Sequence, residues 1–217
     1  MLRELRIVQR RRAALRARLE VARAVAALEE SCVPSYLYPN PAAAYAAWSR
    51  LFAAAALYRR FAPKGSVLDF GAASGELRHV LDADAAYGFV EADEALAASL
   101  QAEAPQAERY ALDRLPAGRF SAVFALDALE HNPDVGAILD RLIPALKADG
   151  VLILSGPTEN ALYRLGRRIA GFSGEYHQAT IYDIERLAAE RLALLTRRRT
   201  PLGLPLFSLS VWRRRGD

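Results

Sequence analysis

The most informative segment of this chain is Val67-Leu-Asp-Phe-Gly-Ala-Ala-Ser-Gly-Glu76, in which a short apolar run leads into a turn of small residues. Asp69 ends the apolar run, and Gly71 and Gly75 allow the backbone to bend and to approach a ligand closely. A pyrophosphate site would need the spacing G-x-G-x-x-G, which is absent here, and Asp69 would repel the phosphates. The segment therefore predicts a ligand crevice at the end of a strand, for a ligand that carries a positive amino group.

Strand and helix patterns alternate on the C-terminal side of this segment. The predicted strands occupy residues 66–70, 86–91, 107–112, 121–126 and 150–155, and the predicted helices occupy residues 76–81, 93–104, 132–147 and 182–191. This alternation indicates right-handed strand–helix–strand units around a parallel sheet. Two late apolar stretches, 192–196 and 207–212, flank a Pro/Gly loop and could close the sheet as a hairpin. We therefore predict an α/β fold with a doubly wound, mostly parallel, seven-stranded sheet of the Rossmann-like type.

The N-terminal part of the chain is predicted to be helical and basic. Residues 1–30 contain eight Arg and four Glu, which accounts for the net charge of +4 of the whole chain. One apolar stripe runs along this helix through Leu5, Val8, Leu15, Leu19 and Ala22. A proline-containing linker, predicted to be extended, and a second helix over 42–61 follow. We expect residues 1–62 to form a helical extension and linker that pack on the core, and residues 63–217 to form the ligand-binding domain.

The composition is that of a globular protein, with 53% hydrophobic and 25% charged residues. The single cysteine, Cys32, excludes a disulfide within the chain, so we expect a reducing, cytoplasmic setting. We expect neither a membrane span, which needs an apolar run of ~20 residues, nor a secretory signal. The basic helix could lie on an anionic membrane surface, pair with another helix or bind nucleic acid nonspecifically, although a solvated or packed helix is the default. We predict no specific nucleic-acid partner, and the oligomeric state stays open.

Two further segments place polar side chains at strand ends. Glu91 ends the second predicted strand, 22 residues after Asp69, and a carboxylate there can accept both hydrogen bonds of a ribose diol. The alternative for Glu91 is a surface glutamate that begins a helix. The segment Phe124-Ala-Leu-Asp-Ala-Leu-Glu-His131 follows the fourth strand. We expect all of these side chains at the carboxyl ends of the strands, where α/β sheets bind ligands.

The segment around Asp69 resembles motif I of the class I methyltransferases that depend on S-adenosylmethionine (SAM), D/E-x-G-x-G-x-G. Asp69, Gly71 and Gly75 match this motif, and Ala73 stands at the middle glycine, where the turn should survive unless the site needs a positive φ angle. The resemblance covers residues 67–155 and implies that SAM is the cofactor, with its ribose held by Glu91 and its methionine part near Asp127. The cofactor-binding residues that the resemblance implies are Asp69, Phe70, Gly71, Ala73, Gly75, Glu91, Ala92, Asp113, Leu126 and Asp127.

The adenine side of the site departs from the family's pattern. The family often places an acid after the third strand to contact the adenine amino group, but Ala111 stands at the aligned position and Asp113 is the nearest acid. Ser121 likewise replaces the acid that usually opens the fourth strand. Asp113 is therefore one candidate for the adenine contact, and backbone groups with apolar packing are the alternative.

The resemblance also implies methyl transfer by in-line displacement to a small-molecule acceptor or a lipid- or sugar-type acceptor. A base is needed only where the acceptor must lose a proton, as a hydroxyl or phenol does. His131 is the first candidate for this base, unless it only caps or packs the following helix, and His177 is the second. The three histidines, His79, His131 and His177, lack metal-ligand spacing, so we predict no metal. Whether oxygen, nitrogen or carbon receives the methyl group stays open.

Two other functions compete with this interpretation. A non-catalytic SAM-binding or scaffold protein of the same fold would explain the departures at Ala73 and Ala111. A nicotinamide-dependent oxidoreductase could use the same sheet, but the missing G-x-G-x-x-G spacing argues against it.

Overall fold

The computed structural model describes residues 2–22, 33–38, 40–158, 160, 179–201 and 205–216. The α-helices are α1 (Leu2–Ala22), α2 (Val33–Tyr36), α3 (Pro41–Phe61), α4 (Glu94–Glu103), α5 (Val135–Ala145) and α6 (Ile181–Arg191). The strands are β1 (Val67–Phe70), β2 (Tyr87–Val90), β3 (Glu108–Arg109), β4 (Phe120–Leu126), β5 (Leu146–Pro157), β6 (Leu192–Thr200) and β7 (Phe207–Arg214). Short 3₁₀ helices span Glu76–His79, Leu112–Arg114 and Leu129–His131.

The seven strands form one sheet in the order β3-β2-β1-β4-β5-β7-β6. The pairings among β1 to β5 are parallel, and β7 pairs antiparallel with both β5 and β6. The predicted α/β fold with a seven-stranded sheet is confirmed, but the prediction that the sheet is mostly parallel is wrong, because the sheet is mixed. The antiparallel part arises because only a short loop joins β6 to β7, whereas a parallel pair would need a crossover of a dozen or more residues.

Helices cover the sheet on both faces, which explains the continuous apolar runs of its central strands. β4, for example, is buried along its whole length. One face packs against α1 and α3, with Trp48, Phe89 and Phe124 among its fully buried side chains. The other face packs against α5 and α6, with Leu139 and Leu142 at its centre. With both faces covered, polar side chains can converge at the carboxyl ends of the strands.

The N-terminal helix α1 lies against α3 and the first face of the sheet. Val8 and Leu15 of the predicted apolar stripe are buried in that cluster, whereas Leu5 is exposed. The hydroxyl of Tyr45 on α3 also donates a hydrogen bond to Glu4 on α1, at 3.1 Å. Within the described part of the chain, no helix combines the length and the apolar character needed to cross a bilayer.

Several local predictions differ from the structure. The linker that was expected to be extended contains the short helix α2. The helix expected from Asn132 begins instead after Asp134, whose carboxylate accepts a hydrogen bond from the amide of Ala137 at 2.9 Å. The reason is that the side-chain amide of Asn132 donates to the carbonyl of Ala128 at 2.8 Å and so closes the preceding turn. The third strand has two residues, and the helix expected at 76–81 is a single 3₁₀ turn.

Consecutive arginines at the end of β7 tie the sheet to the C-termini of three helices. Arg213 donates to the carbonyl of Phe61 at the end of α3, at 2.5 Å. Arg214 and Arg215 do the same at the ends of α5 and α6. The last carbonyls of a helix lack intrahelical partners and carry the negative end of the helix dipole, so cationic donors stabilise them. These contacts hold the helices in place at the edge of the sheet opposite the strand ends that carry the site.

Candidate functional site

Three adjacent strands carry an acid at or just beyond their carboxyl ends. Asp69 lies in β1, Glu91 follows β2 and Asp127 follows β4, and β1 is the middle strand of these three. Because the three strands are parallel, their carboxyl ends meet at the same edge of the sheet. The structure thus brings the three carboxylates that the sequence analysis singled out to one edge.

The turn after β1 has a left-handed backbone at every second residue. Gly71, Ala73 and Gly75 have φ angles of 70°, 47° and 75°. A Cβ atom on Gly71 would lie 2.5 Å from the Cβ of Ala128, and one on Gly75 would lie 2.3 Å from a methyl carbon of Leu100. The positive φ angle therefore favours glycine at both positions, and at Gly71 the close approach to the Cβ of Ala128 does so as well. The middle position does need a positive φ angle, so Ala73 adopts a conformation that costs an L-residue about 1–2 kcal/mol.

Glu91 holds this turn from the side of β2. Its carboxylate accepts hydrogen bonds from the backbone amide of Ala73 at 2.6 Å and from that of Asp93 at 2.9 Å. A carboxylate offers about four acceptor positions, so about two remain for a ligand. The side chain is partly exposed, and it therefore lies at the rim of the edge.

Asp69 lies deeper than Glu91, on the face of the sheet that packs against α3. The side chain is 4% exposed and accepts a hydrogen bond of 2.5 Å from the hydroxyl of Tyr87. The pKa of Asp69 is raised to about 7, chiefly because the carboxyl group is buried; the hydrogen bond from Tyr87 opposes this rise, and the nearby charge of Glu91 adds to it. A cationic ligand at the edge would favour the ionised form of Asp69.

Asp127 belongs to a buried polar cluster beside β4. Its φ angle is 51°, its carboxylate accepts a hydrogen bond from the hydroxyl of Ser155 at 2.6 Å, and it forms an ion pair with Arg50. Arg50 comes from α3, is 2% exposed and donates to the hydroxyl of Tyr36 at 3.3 Å. Its guanidinium carbon lies 5.4 Å from the ring centroid of Tyr36 and 5.2 Å from that of Phe207. Such ring contacts stabilise a desolvated cation.

Sequence reasoning missed Arg50 although a signal was available. Arg50 lies three residues after Ala47 and four before Ala54, which are both buried. A charged residue beside the apolar face of a helix needs a buried partner. The sequence does not show that this partner is Asp127, 77 residues away.

The remaining predicted residues lie around this edge with different exposures. Phe70 and Leu126 are buried at the ends of β1 and β4, and Ala92 is exposed beside Glu91. The side chain of Asp113 is 66% exposed, and its carboxylate lies 3.9 Å from Arg114. His131 ends the 3₁₀ helix that follows Asp127 and is partly buried. His177 lies outside the described residues.

In the described part of the chain, no group of three His, Cys, Asp or Glu side chains is arranged to hold a metal ion. The chemistry of the edge is instead that of three carboxylates, one buried arginine and the amides of a glycine-rich turn.

Residues 42–196 match the sequence model of a family described as a methyltransferase domain. Comparison with curated protein sequences gave no match. Among solved structures, the chain is similar to the magnesium protoporphyrin IX methyltransferase of Synechocystis with bound SAH, at 18% identity and a TM-score of 0.61, with 81% of this chain and 88% of that chain covered. It is also similar to a putative type 11 methyltransferase of Sulfolobus solfataricus, at 14% identity and a TM-score of 0.60, with 74% and 90% covered.

A Pyrococcus horikoshii protein is similar as well, at 15% identity and a TM-score of 0.64, with 79% of this chain and 92% of that chain covered. At these identities the solved structures establish the fold alone, and the family model establishes the family.

Proposed function

This chain belongs to the methyltransferase domain family, and we propose that it transfers the methyl group of SAM to a small-molecule acceptor or to a lipid- or sugar-type acceptor. The enzyme class and the cofactor follow from the family, whereas the acceptor class is our own inference. When bound, SAM supplies an electrophilic methyl group on a cationic sulfonium. The residues of this chain must bind the cofactor and the acceptor, align them and exclude water.

The strand-end residues fit a cofactor that has a diol in one part and an amino acid in another. Glu91 keeps about two acceptor positions beyond its bonds to Ala73 and Asp93, as a ribose diol requires. Arg50 and Asp127 present a cation beside an anion, which complements the carboxylate and the ammonium of an amino acid head group. The observation that carries the proposal is this convergence of Glu91, after β2, and the Arg50–Asp127 pair, beside the end of β4, on the two sides of β1.

The charge balance of the edge also favours SAM over a dinucleotide. Asp69, Glu91 and Asp127 supply three carboxylates to this edge, and Arg50 forms an ion pair with one of them, Asp127. A pyrophosphate would meet repulsion there, whereas a ligand with a sulfonium and an ammonium would be attracted.

The residues beside Asp127 are sheltered from water, because Tyr36, Arg50 and Ser155 are all buried. Alignment of two reactants in a sheltered region can contribute up to about 7–11 kcal/mol of the acceleration. For a hydroxyl acceptor we propose that His131, four residues beyond Asp127, receives the proton.

The first part of the test is calorimetric titration with S-adenosylhomocysteine (SAH), the demethylated cofactor. We expect binding to the unaltered chain and at least a tenfold weaker binding to Glu91→Ala, because each hydrogen bond to a charged group contributes about 1.5–3 kcal/mol. Asp84→Ala, which alters an exposed acid before β2, is the control and should bind as the unaltered chain does. Absence of SAH binding to the unaltered chain would refute the cofactor assignment.

The second part follows the acceptor. The enzyme is incubated with methyl-labelled SAM and a cell extract, which is then separated into small-molecule, lipid, protein and nucleic-acid fractions. Label that enters the small-molecule or lipid fraction, and that Glu91→Ala abolishes, supports the proposed acceptor class. Label confined to protein or nucleic acid would contradict it.

A further inference from the structure

The N-terminal helix α1 lies outside the residues that match the family model, yet it contacts the turn that follows β1. Its contacts with the turn are made by Arg11 and Arg18, two of the arginines that give this helix its positive charge. The acids that receive them are Glu76, at the end of the turn, and Glu103, at the end of α4.

Arg11 forms a bidentate ion pair with Glu76 at the end of the turn. Its Nε lies 2.9 Å from Oε2 of Glu76, and its Nη2 lies 2.9 Å from Oε1. The third nitrogen, Nη1, lies 2.7 Å from Oε1 of Glu103. Arg11 is 7% exposed and Glu76 is 1% exposed, so the pair is sheltered from water and from salt. Paired, parallel hydrogen bonds between an arginine and a carboxylate are strong and fix the orientation of both side chains.

Arg18 holds the same turn one step earlier. Its Nη2 donates to the backbone carbonyl of Ser74 at 3.1 Å, and its Nη1 pairs with Glu103. Ser74 and Glu76 flank Gly75, which has a left-handed backbone. The two arginines therefore fix the chain on both sides of that glycine.

The opposite side of the turn is fixed by Glu91, whose carboxylate accepts a hydrogen bond from the amide of Ala73. Ala73 is strained, because an alanine occupies a left-handed position that suits glycine. A strained conformation persists only where the surrounding contacts over-determine it. Here these contacts are Glu91 on the side of β2, and Arg11 and Arg18 on the side of α1.

We propose that Arg11 and Arg18 are positioning residues of the SAM site, which hold the Ser74–Glu76 segment so that the Ala73 amide and Glu91 keep the geometry that the cofactor requires. This inference rests on the proposed function. It gives the basic N-terminal helix a role inside the enzyme, because two of its arginines form ion pairs with acids of the same chain. The two arginines need not touch SAM, since they act through the turn.

The test compares Arg18→Met with Arg6→Met. Both variants remove an arginine from α1, but Arg6 is exposed, and no hydrogen bond or ion pair of its side chain is found in the described part of the chain. Arg18→Met should leave the fold intact, because Glu103 keeps Arg11, Arg78 and His79 as neighbours. The full chain is used throughout, with SAH calorimetry, thermal unfolding and amide hydrogen exchange as measurements.

We expect Arg18→Met to bind SAH about tenfold more weakly, which corresponds to one lost hydrogen bond from a charged donor. Exchange should accelerate at residues 71–76 in the cofactor-free protein and stay unchanged in β4 and β5. In turnover, KM for SAM should rise while kcat changes little. Arg6→Met should match the unaltered chain in all of these measurements.

Three results would overturn the inference, and they are distinguishable from one another. If Glu91→Ala loses SAH binding but Arg18→Met keeps it, the proposed function stands and the positioning role fails. If Arg18→Met lowers the unfolding temperature and accelerates exchange throughout the core, α1 is only a structural cover. If the unaltered chain does not bind SAH at all, both the proposed function and the positioning role fail.

Discussion

In the turn after β1, Ala73 has a left-handed backbone. Removal of its methyl group by substitution with glycine tests this backbone conformation. Its φ angle is 47° and it is buried, whereas its neighbour Ala72 is also buried but is not among the residues with a positive φ angle. Ala73→Gly and Ala72→Gly therefore remove the same methyl group from two adjacent buried positions, and only the first substitution relieves a left-handed alanine.

The expected magnitudes follow from three contributions. Both substitutions lose about 0.8 kcal/mol of buried apolar surface and about 0.5–1 kcal/mol to the greater freedom of glycine in the unfolded chain. Ala72→Gly should therefore destabilise the protein by about 1.5 kcal/mol. Ala73→Gly also relieves about 1–2 kcal/mol of backbone strain, so its free energy of unfolding should be close to that of the unaltered chain.

Urea unfolding monitored by circular dichroism measures both free energies, and thermal unfolding gives a second readout. A difference of about 1.5 kcal/mol between the two variants corresponds to about 3–6 °C in the midpoint of a protein of this size. Equal losses of stability in Ala73→Gly and Ala72→Gly would refute the left-handed, strained backbone of Ala73.

Three further predictions concern the neighbouring residues. Gly71→Ala should destabilise the protein by more than about 2 kcal/mol in urea unfolding, because a left-handed alanine is added to a 2.5 Å approach to the Cβ of Ala128; Gly71→Ala/Ala128→Gly should recover the part due to the clash and keep the part due to strain. Asp127→Asn should cost about 3–5 kcal/mol, because it leaves the buried Arg50 without its carboxylate, and Arg50→Met/Asp127→Asn should cost less; a double-mutant cycle with no coupling would contradict the pairing. The raised pKa of Asp69, about 7 against 3.8, means that the folded state binds a proton more tightly than the unfolded state, so stability should fall as pH rises from about 4 to about 7, and Asp69→Asn should remove this slope. A slope that persists in Asp69→Asn would assign the titration to another group.

The parts of the fold that the sequence predicts are those that depend on neighbours along the chain. The strand and the turn around Asp69 need only local apolar spacing and glycine, whereas the helix expected after them is a single 3₁₀ turn. The start of α4 is equally local, since Asp93 accepts the amide of Leu96 at 2.9 Å, three residues later. The acid after β2 is predictable because Glu91 lies directly after the strand end at Val90 and shortly before the start of α4 at Glu94.

The parts that the sequence does not predict depend on contacts between distant residues. The pairing of Arg50 with Asp127 spans 77 positions, and the contact of Arg11 with Glu76 spans 65. The sequence indicates that buried charges need partners, but many carboxylates could serve. The left-handed backbone of Ala73 likewise accompanies a contact with a more distant residue, since its amide donates to Glu91, 18 positions away.

A crystal structure of the chain with SAH bound would show whether the carboxyl ends of β1, β2 and β4 form one cofactor site. We expect that both ribose hydroxyls donate to Glu91 and that the amino acid head group lies against Arg50 and Asp127. SAH bound elsewhere on the protein, or a Glu91 side chain turned away from the bound ribose, would refute this site.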